Sequence, residues 1–209
     1  MTDKDFCICS IAFGDARYFA QLERLKESIK NFHPETEFFY WTNGMPPNAK
    51  NHSESPYGFK VHAVNYCRTK GYKKIIFFDP AVYLVDKLFE YFDIVKDYGI
   101  VAAQDDNLLC NYCADEIYKY YDVTREESRN KKQHLVGGSI YVFDFDLLMC
   151  KRVFNRWLVA ERDSIFKYSR NDESCMALSL YNSGSTPTPY DICRYDKVPN
   201  PLVVKSHFK

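Results

Sequence analysis

The chain has 209 residues, 46% of them hydrophobic and 17% aromatic, which supplies a sizeable core and excludes a disordered protein. Its 28 basic and 28 acidic residues cancel, so no global field draws it to nucleic acid. No apolar stretch reaches the roughly 20 residues that span a bilayer, and the charged start, 1–5, does not resemble a signal peptide. One domain, 1–209, is expected.

Strand-like and helical patterns alternate along the first half of the chain. A β-type run at 6–13 is followed by apolar residues at helical spacing over 18–32 and by a second strand-like run at 38–41. A helix over 59–67 then leads into a strand at 75–79. This order predicts an α/β fold, with a central mixed, mostly parallel sheet flanked by helices.

The strongest strand signal is the run Ile75–Phe78. It is short, apolar and without alternation, which is typical of a strand covered on both faces. Pro80 cannot donate to a sheet ladder, so the strand should end at Asp79, on the carboxyl edge where open α/β sheets bind ligands. Asp79 is therefore a candidate site residue. The alternative is that it only caps the following turn.

The middle of the chain is less regular. A helix is expected from Asp86 to Gly99, and the tyrosine-rich, charged stretch 108–133 predicts helical excursions at the domain edge. Gly137 and Gly138 precede an expected strand at 140–145. Paired glycines indicate either a close approach of backbone to ligand or a simple turn.

An acidic pair opens the last predicted helix. Asp172 and Glu173 begin it, and Gly184 ends it. Carboxylates in a first turn also suit the positive end of any helix, so a purely structural role is the alternative. A short apolar run at 202–204 then leads into the terminal segment 205–209.

The cysteines indicate the compartment. Eight cysteines without a secretory signal predict reduced thiols and a cytoplasmic protein. Cys110 and Cys113 have the spacing of a zinc-ligand pair, but no second pair with matching spacing accompanies them. A zinc site is the weaker alternative.

Four features follow one another along the chain: an acid after a buried strand, a glycine pair, an Asp-Glu pair and a C-terminal histidine. This order resembles that of the retaining nucleotide-sugar glycosyltransferases of the GT-A fold, especially families 8 and 6. The resemblance implies a GT-A-like domain that moves a sugar from a nucleotide-sugar donor, a UDP-sugar, to a glycan or other hydroxyl acceptor. It is strongest toward small transferases of large DNA viruses of algae, which implies viral glycosylation in the host cytoplasm. A further expectation is that 1–209 is the catalytic part of a longer polypeptide.

The resemblance also implies which residues bind the donor. The segment Ile11–Tyr18 is similar to the family's contact with the base and ribose, and Phe13 is alternatively a core residue. Lys60 resembles a basic residue that faces the donor phosphates, and its alternative is a solvated helix lysine. The implied nucleotide-binding residues of these two segments are Ala12, Phe13, Tyr18 and Lys60.

Other residues are implied beside the transferred sugar. Gly137 and Gly138 resemble the family's strand that borders this sugar. Glu173 matches the carboxylate proposed as catalytic in family 6, and Asp172 matches the acid before it, which would hold sugar hydroxyls.

The metal site departs from the family pattern. The family has Asp-X-Asp after the buried strand, whereas this chain has Asp79 followed by Pro80 and Ala81. By resemblance, Asp79 and His207 would hold Mn²⁺ or Mg²⁺, with donor phosphates and water completing the coordination. Lys209 would meet the diphosphate.

Two other functions fit parts of the pattern. A haloacid-dehalogenase-type phosphatase also has an Asp after an apolar strand, but it needs a second acid where Ala81 stands. A sugar- or nucleotide-binding module that has lost its metal site is favoured by Ala81 and disfavoured by His207 and the Asp172–Glu173 pair.

Overall fold

The computed structural model of the chain describes residues 1–168, 171–195 and 199–206. Its strands are β1 (Phe6–Ile11), β2 (Glu37–Trp41), β3 (Lys74–Phe78), β4 (Val82–Leu84), β5 (Ile100–Leu108), β6 (His134–Asp144) and β7 (Val203–Lys205). Its α-helices are α1 (Ala16–Phe32), α2 (Phe59–Thr69), α3 (Tyr91–Tyr98), α4 (Leu109–Tyr112), α5 (Asp115–Tyr120), α6 (Arg125–Asn130), α7 (Leu148–Arg162) and α8 (Asn171–Tyr181).

The central sheet has five strands in the order β2-β1-β3-β6-β5. β1 pairs in parallel with β2 and β3, whereas β6 runs antiparallel to both β3 and β5. Four of the five strands therefore point the same way. The predicted α/β fold, with a mixed and mostly parallel sheet flanked by helices, is confirmed.

Strand β3 is buried on both faces, as its sequence predicts. Ile75 and Phe77 pack into one hydrophobic cluster, which also contains apolar residues of α2, α7 and α8. Ile76 and Phe78 pack into the opposite cluster, with apolar residues of α1 and α3. The alternating side chains of one strand thus anchor the helical layers on both sides of the sheet.

The start of β6 differs from the prediction. This strand begins at His134, so Gly137 and Gly138 lie inside it rather than before it. Its pairing with β3 extends to the partners Phe78 and Ile140, and the Asp79 N–H then donates to the Ser139 carbonyl at 2.9 Å. The glycine pair is therefore brought alongside the carboxyl end of β3.

A small second sheet, in which β4 pairs antiparallel with β7, was not predicted. It occupies residues after β3 that were expected to lead directly into a helix at Asp86. The amides of Val85 and Asp86 donate to the Leu202 carbonyl at 3.0 and 3.3 Å, and the Leu88 amide donates to His33 Nε2 at 2.9 Å. Because these backbone groups make tertiary hydrogen bonds, the helix begins only at Tyr91.

All eight cysteines are buried and free, in agreement with the predicted reduced thiols. Among the described residues, no group of three or more His, Cys, Asp or Glu side chains is placed to hold a metal, so the alternative of zinc at Cys110 and Cys113 gains no further ligands. No helix in the described ranges is both long and apolar enough to cross a membrane.

Candidate active site

Two adjoining cavities lie at the carboxyl end of β3. The larger has a volume of about 850 Å³ and the smaller about 160 Å³, and both are lined by Tyr57, Lys60 and Asp79. A surface groove of about 990 Å³ lies at the other end of the sheet, where Lys73 pairs with Asp146. The paired cavities are the candidate site, because open α/β sheets bind ligands at their carboxyl edge.

Asp79 serves the turn and also lines both cavities. Its Oδ1 accepts the Ala81 N–H at 2.9 Å, so the turn-capping interpretation holds for one carboxylate oxygen. The residue itself is only partly buried. Ala81, at the position of the family's second acid, is completely buried and lines neither cavity. The protein therefore presents one acid from this turn.

Lys60 forms the central ion pair of the site. Its Nζ lies 2.6 Å from Asp172 Oδ2 and donates to the Gly138 carbonyl at 3.0 Å, with the residue only 6% exposed. Burial alone would lower the pKa of Lys60, but the charge and hydrogen bond of Asp172, followed by Asp79 and Glu173, raise it above its usual value. Lys60 is thus a charged, buried residue and not a solvated helix lysine.

Gly138 permits this ion pair to sit against β6. A Cβ atom at position 138 would lie 2.7 Å from Lys60 Nζ, 3.2 Å from Glu173 Oε1 and 3.3 Å from Asp172 Oδ2. A Cβ atom at Gly137 would meet only the Ala103 carbonyl, at 3.9 Å. Gly138 is therefore the member of the pair that the close approach requires.

The first turn of α8 supplies the two carboxylates. Asp172 and Glu173 both line the larger cavity, although adjacent helical residues point about 100° apart. Trp157 Nε1, from α7, donates to the Asp172 carbonyl at 3.1 Å and fixes this turn from below. Tyr141 lies beneath the pair, and its burial, followed by the charges of Asp172 and Glu173, raises the pKa of its hydroxyl well above the usual range.

Aromatic rings form the smaller cavity. Phe13 meets Phe59 at 5.3 Å and His52 at 5.7 Å between ring centroids, both edge to face. Tyr18 also lines this cavity and is 42% exposed. Ala12 does not line it, because its side chain is buried in the hydrophobic cluster on the α1 side of the sheet.

The C-terminal segment closes the site beside Asp79. Lys205 Nζ donates to Ser139 Oγ at 2.7 Å, and the Ser206 N–H donates to the Ala81 carbonyl at 3.1 Å. Arg24 of α1 donates to the carbonyls of both Ala81 and Ser206, at 2.8 and 2.6 Å. His207 and Lys209, which were assigned to the metal and the diphosphate, lie outside the described residues.

Several lining residues were missed from the sequence. Asp105 and Asp106 lie in the second half of β5, after the apolar residues 100–103, and this position near a strand end was a usable signal. Lys205 adjoins the predicted histidine segment. Five further missed residues lie in irregular segments whose position follows only from tertiary packing: His52, Tyr57, Tyr168, Tyr190 and Tyr195.

The charge of the larger cavity favours a cation. Five carboxylates and three ammonium groups line it, a surplus of two negative charges among the described residues: Asp79, Asp105, Asp106, Asp172 and Glu173 against Lys60, Lys167 and Lys205. Oxygen ligands of this kind suit Mg²⁺ and Mn²⁺, which retain water and accept few protein ligands. Because no three His, Cys, Asp or Glu side chains of the described residues converge on one point, a divalent ion here would have at most two protein ligands from this part of the chain and would need others from outside it.

Comparisons with known proteins were made for sequence and for structure. No protein-family model matches the sequence, and no curated protein matches it. Among solved structures, the WbbM bifunctional glycosyltransferase has a TM-score of 0.58 at 10% identity, over 100% of this chain and 47% of that one. Mouse xyloside xylosyltransferase 1 has a TM-score of 0.57 at 8% identity, over 97% of this chain and 98% of that one.

The chain spans about half the length of the WbbM chain and nearly the whole of the xylosyltransferase chain. At these identities the likeness concerns the fold. The central sheet, its helical layers and both comparisons agree with the resemblance noted in the sequence. The chain has the GT-A-like fold of glycosyltransferases.

Proposed function

We propose that this protein is a glycosyltransferase that moves a sugar from a nucleotide-sugar donor, a UDP-sugar, to a hydroxyl group of a glycan acceptor with retention of configuration. One observation carries the proposal: Lys60, Asp79, Asp172 and Glu173 line a single cleft that adjoins an aromatic cavity. The fold shared with two glycosyltransferases supports it. The 1–209 chain would act as one catalytic domain.

The two cavities suggest how the donor lies. The smaller cavity, with its aromatic walls, suits a planar base. The residues common to both cavities, Lys60 and Asp79 among them, would then face the diphosphate. The larger cavity would hold the sugar beside Asp172 and Glu173. This order places the bond to be broken next to the acidic pair.

Lysines supply positive charge to the diphosphate. The Lys60 ammonium has three N–H donors, and Asp172 and Gly138 occupy two of them, which leaves the third for a phosphate oxygen. Lys205 lines the same cavity on the other side of Ser139 and adds a second cation. Lys209 would extend this group.

Asp79 and His207 would hold the divalent ion, Mn²⁺ or Mg²⁺. The hydrogen bond from Ser206 to Ala81 supports this pairing, because it fixes the residue before His207 beside the Asp79 turn. When bound, the ion neutralises the negative charge that grows on the leaving diphosphate. The surplus of two negative charges in the cavity supports its presence.

Glu173 would act on the sugar itself. As the bond to the diphosphate breaks, the anomeric carbon becomes cationic, and a carboxylate beside it stabilises that charge or attacks it. Glu173 is partly exposed in the cavity, whereas Asp172 is buried against Lys60. Glu173 is therefore the proposed catalytic carboxylate, and Asp172 the group that orients Lys60 and sugar hydroxyls.

The acceptor would enter from the side of the larger cavity lined by Tyr190 and Tyr195. Their rings meet edge to face at 5.7 Å, and aromatic faces of this kind suit the apolar face of a sugar ring. The eight unpaired cysteines support a reducing setting, the cytoplasm, and the resemblance supports a role in viral glycosylation.

Incubation with a panel of nucleotide sugars, with Mn²⁺, with Mg²⁺ and with a chelator, tests the function. The expected result is release of nucleoside diphosphate from a UDP-sugar, faster with metal and with a glycan acceptor. Donor binding without any turnover would assign a binding module instead. Release of phosphate from simple esters would assign a phosphatase.

A further inference from the structure

His52 lies in the smaller cavity, in ring contact with Tyr57. It lines this cavity but not the larger one, whereas Tyr57, Lys60 and Asp79 line both. If the diphosphate lies at Lys60 and Asp79, the base occupies the rest of the smaller cavity, which His52 lines. The edge of a pyrimidine farthest from the ribose carries the substituent at C4, and in this arrangement it is the edge that His52 would meet.

The imidazole packs among three aromatic rings and faces one backbone N–H. Its ring contacts Tyr57 and Phe13 edge to face, at 5.0 and 5.7 Å between centroids, and lies 6.2 Å from Phe59. Its Nδ1 faces the Tyr57 backbone N–H at 3.4 Å. A backbone N–H can only donate, so Nδ1 is the acceptor, and the neutral ring carries its proton on Nε2.

The smaller cavity has few polar side chains that do not also line the larger one. Its remaining walls are largely apolar: Ile11, Phe13, Phe59, Phe77 and Pro80. Lys60 is engaged by Asp172 and Gly138. Among the described residues, only His52 and Tyr18 add a polar side chain to this cavity without also lining the larger one, and Tyr18 is 42% exposed.

We propose that His52 is a specificity-determining residue that recognises the nucleobase by donating from Nε2–H to a carbonyl oxygen at C4, and so selects uracil over cytosine. The inference rests on the proposed nucleotide-sugar function. Uracil presents an acceptor at C4, whereas cytosine presents an amino group that would face the Nε2–H donor to donor. A buried donor opposite a donor loses its hydrogen bond.

UDP and CDP form a matched pair of probes, because they differ only at this edge of the base. Isothermal titration in the presence of Mg²⁺ should show UDP binding about 10- to 100-fold more tightly than CDP. His52→Phe keeps an aromatic ring but removes the donor, and it should reduce UDP affinity to the level of CDP. His52→Gln returns an N–H donor near the same place and should restore part of the preference.

Equal affinity of the unaltered protein for UDP and CDP would overturn the role of His52 while leaving nucleotide binding, and with it the proposed function, intact. A preference that survives His52→Phe but disappears in Tyr18→Phe would assign base recognition to Tyr18 and overturn it as well. Absence of binding by either nucleotide would overturn both proposals. The comparison of UDP with CDP in the unaltered protein needs no variant to fold.

Discussion

Gly138 illustrates how one residue without a side chain organises the site. Glycine in a strand interior weakens the strand, because it loses more conformational freedom and packs nothing against its neighbours. At this position the cost is offset by the approach of Lys60, Asp172 and Glu173, which occupy the space of the missing Cβ. The backbone of β6 thus forms one wall of the charged cluster.

Gly138→Ala should disturb this cluster, and Gly137→Ala is its matched control. A methyl group at position 138 would lie only 2.7 Å from the present place of Lys60 Nζ, so Lys60 would have to move and its pairing with Asp172 would be disturbed. We expect at least about a 10-fold loss of donor affinity, the equivalent of one charged hydrogen bond. A Cβ atom at position 137 would lie 3.9 Å from its nearest protein atom, so Gly137→Ala should leave the Lys60–Asp172 pair in place and lower affinity less. Equal titration results for the two variants would contradict this account.

Glu173→Gln should separate catalysis from binding. The substitution keeps size and hydrogen bonding but removes the charge that a cationic transition state needs, so turnover should fall about 100-fold or more. Donor affinity should change only slightly, the pattern of an interaction made in the transition state. Single-turnover rates and titration on the same preparation measure both.

Asp172→Asn provides the contrast, because it leaves the buried Lys60 ammonium without its carboxylate. Its melting temperature should fall, whereas that of Glu173→Gln should not. If Glu173→Gln has full turnover and lower stability, the acidic pair only stabilises the start of its helix.

The places of some residues beside clear strand and helix signals could be predicted, whereas those of residues in loops could not. Asp79 and Lys60 adjoin the strongest strand and helix signals, and the topology of the sheet brings them to the Asp172–Glu173 pair. Tyr57 and His52 lie in an irregular stretch, and no periodicity fixes where such a stretch packs. Their place in the site follows only from contacts with residues distant in sequence.

At the scale of elements, helices α2 and α7 are joined by a buried pair of ionisable side chains. His62 Nε2 of α2 lies 2.8 Å from Glu161 Oε2 of α7, and Glu161 is 1% exposed. Burial alone raises the pKa of Glu161. The hydrogen bond and charge of His62, with smaller effects of Ser55 and Lys50, nevertheless bring that pKa below its usual 4.5.

This pair predicts a pH dependence of stability. Since the pKa of Glu161 is lower in the folded protein, its stabilising effect is fully present above pH 4.5 and is lost as the pH falls below that value. Glu161→Gln should therefore lower the free energy of unfolding by about 1–3 kcal/mol at pH 7, with a smaller difference at pH 3.5. Urea unfolding at several pH values measures it.

Glu35→Gln is a suitable control, because Glu35 makes an exposed ion pair with Lys4 and should contribute about 0–1 kcal/mol. If Glu161→Gln lowers the free energy of unfolding by the same amount at pH 7 and at pH 3.5, the charge of Glu161 does not stabilise the protein.

Element boundaries were predicted where local signals and tertiary contacts agree. Helix α3 ends at Tyr98, and Gly99 follows as its expected C-terminal signal, with a φ of 77° that favours glycine. The three-residue strands β4 and β7 have too little sequence to show a period, so their pairing was not foreseen. β6 also extends beyond its predicted start, since its partner β5 continues to Leu108.

At the scale of the whole molecule, the reactivity of the cysteine thiols indicates whether the protein is folded. They are distributed over β1, several helices and the C-terminal region, and all eight are buried and free. Cys110, with 4% exposure, is the most accessible of them. Buried thiols react only when the surrounding structure opens.

An aromatic disulfide reagent should therefore modify the native protein slowly and without a rapid phase. In guanidinium chloride it should titrate eight thiols at once. A rapid phase in the native protein would contradict the buried assignment. Its loss in Cys110→Ser would trace the reaction to that residue.

The pairing of β4 with β7 has a consequence for synthesis of the protein. Val82–Leu84 emerges from the ribosome more than a hundred residues before Val203–Lys205, yet the two segments form one small sheet beside Asp79. Arg24, translated earlier still, holds the carbonyl of Ser206. A nascent chain can therefore form the central sheet and the aromatic cavity while one wall of its cleft is missing. The complete cleft, with Lys205 against Ser139, can form only after residues 203–206 have been translated.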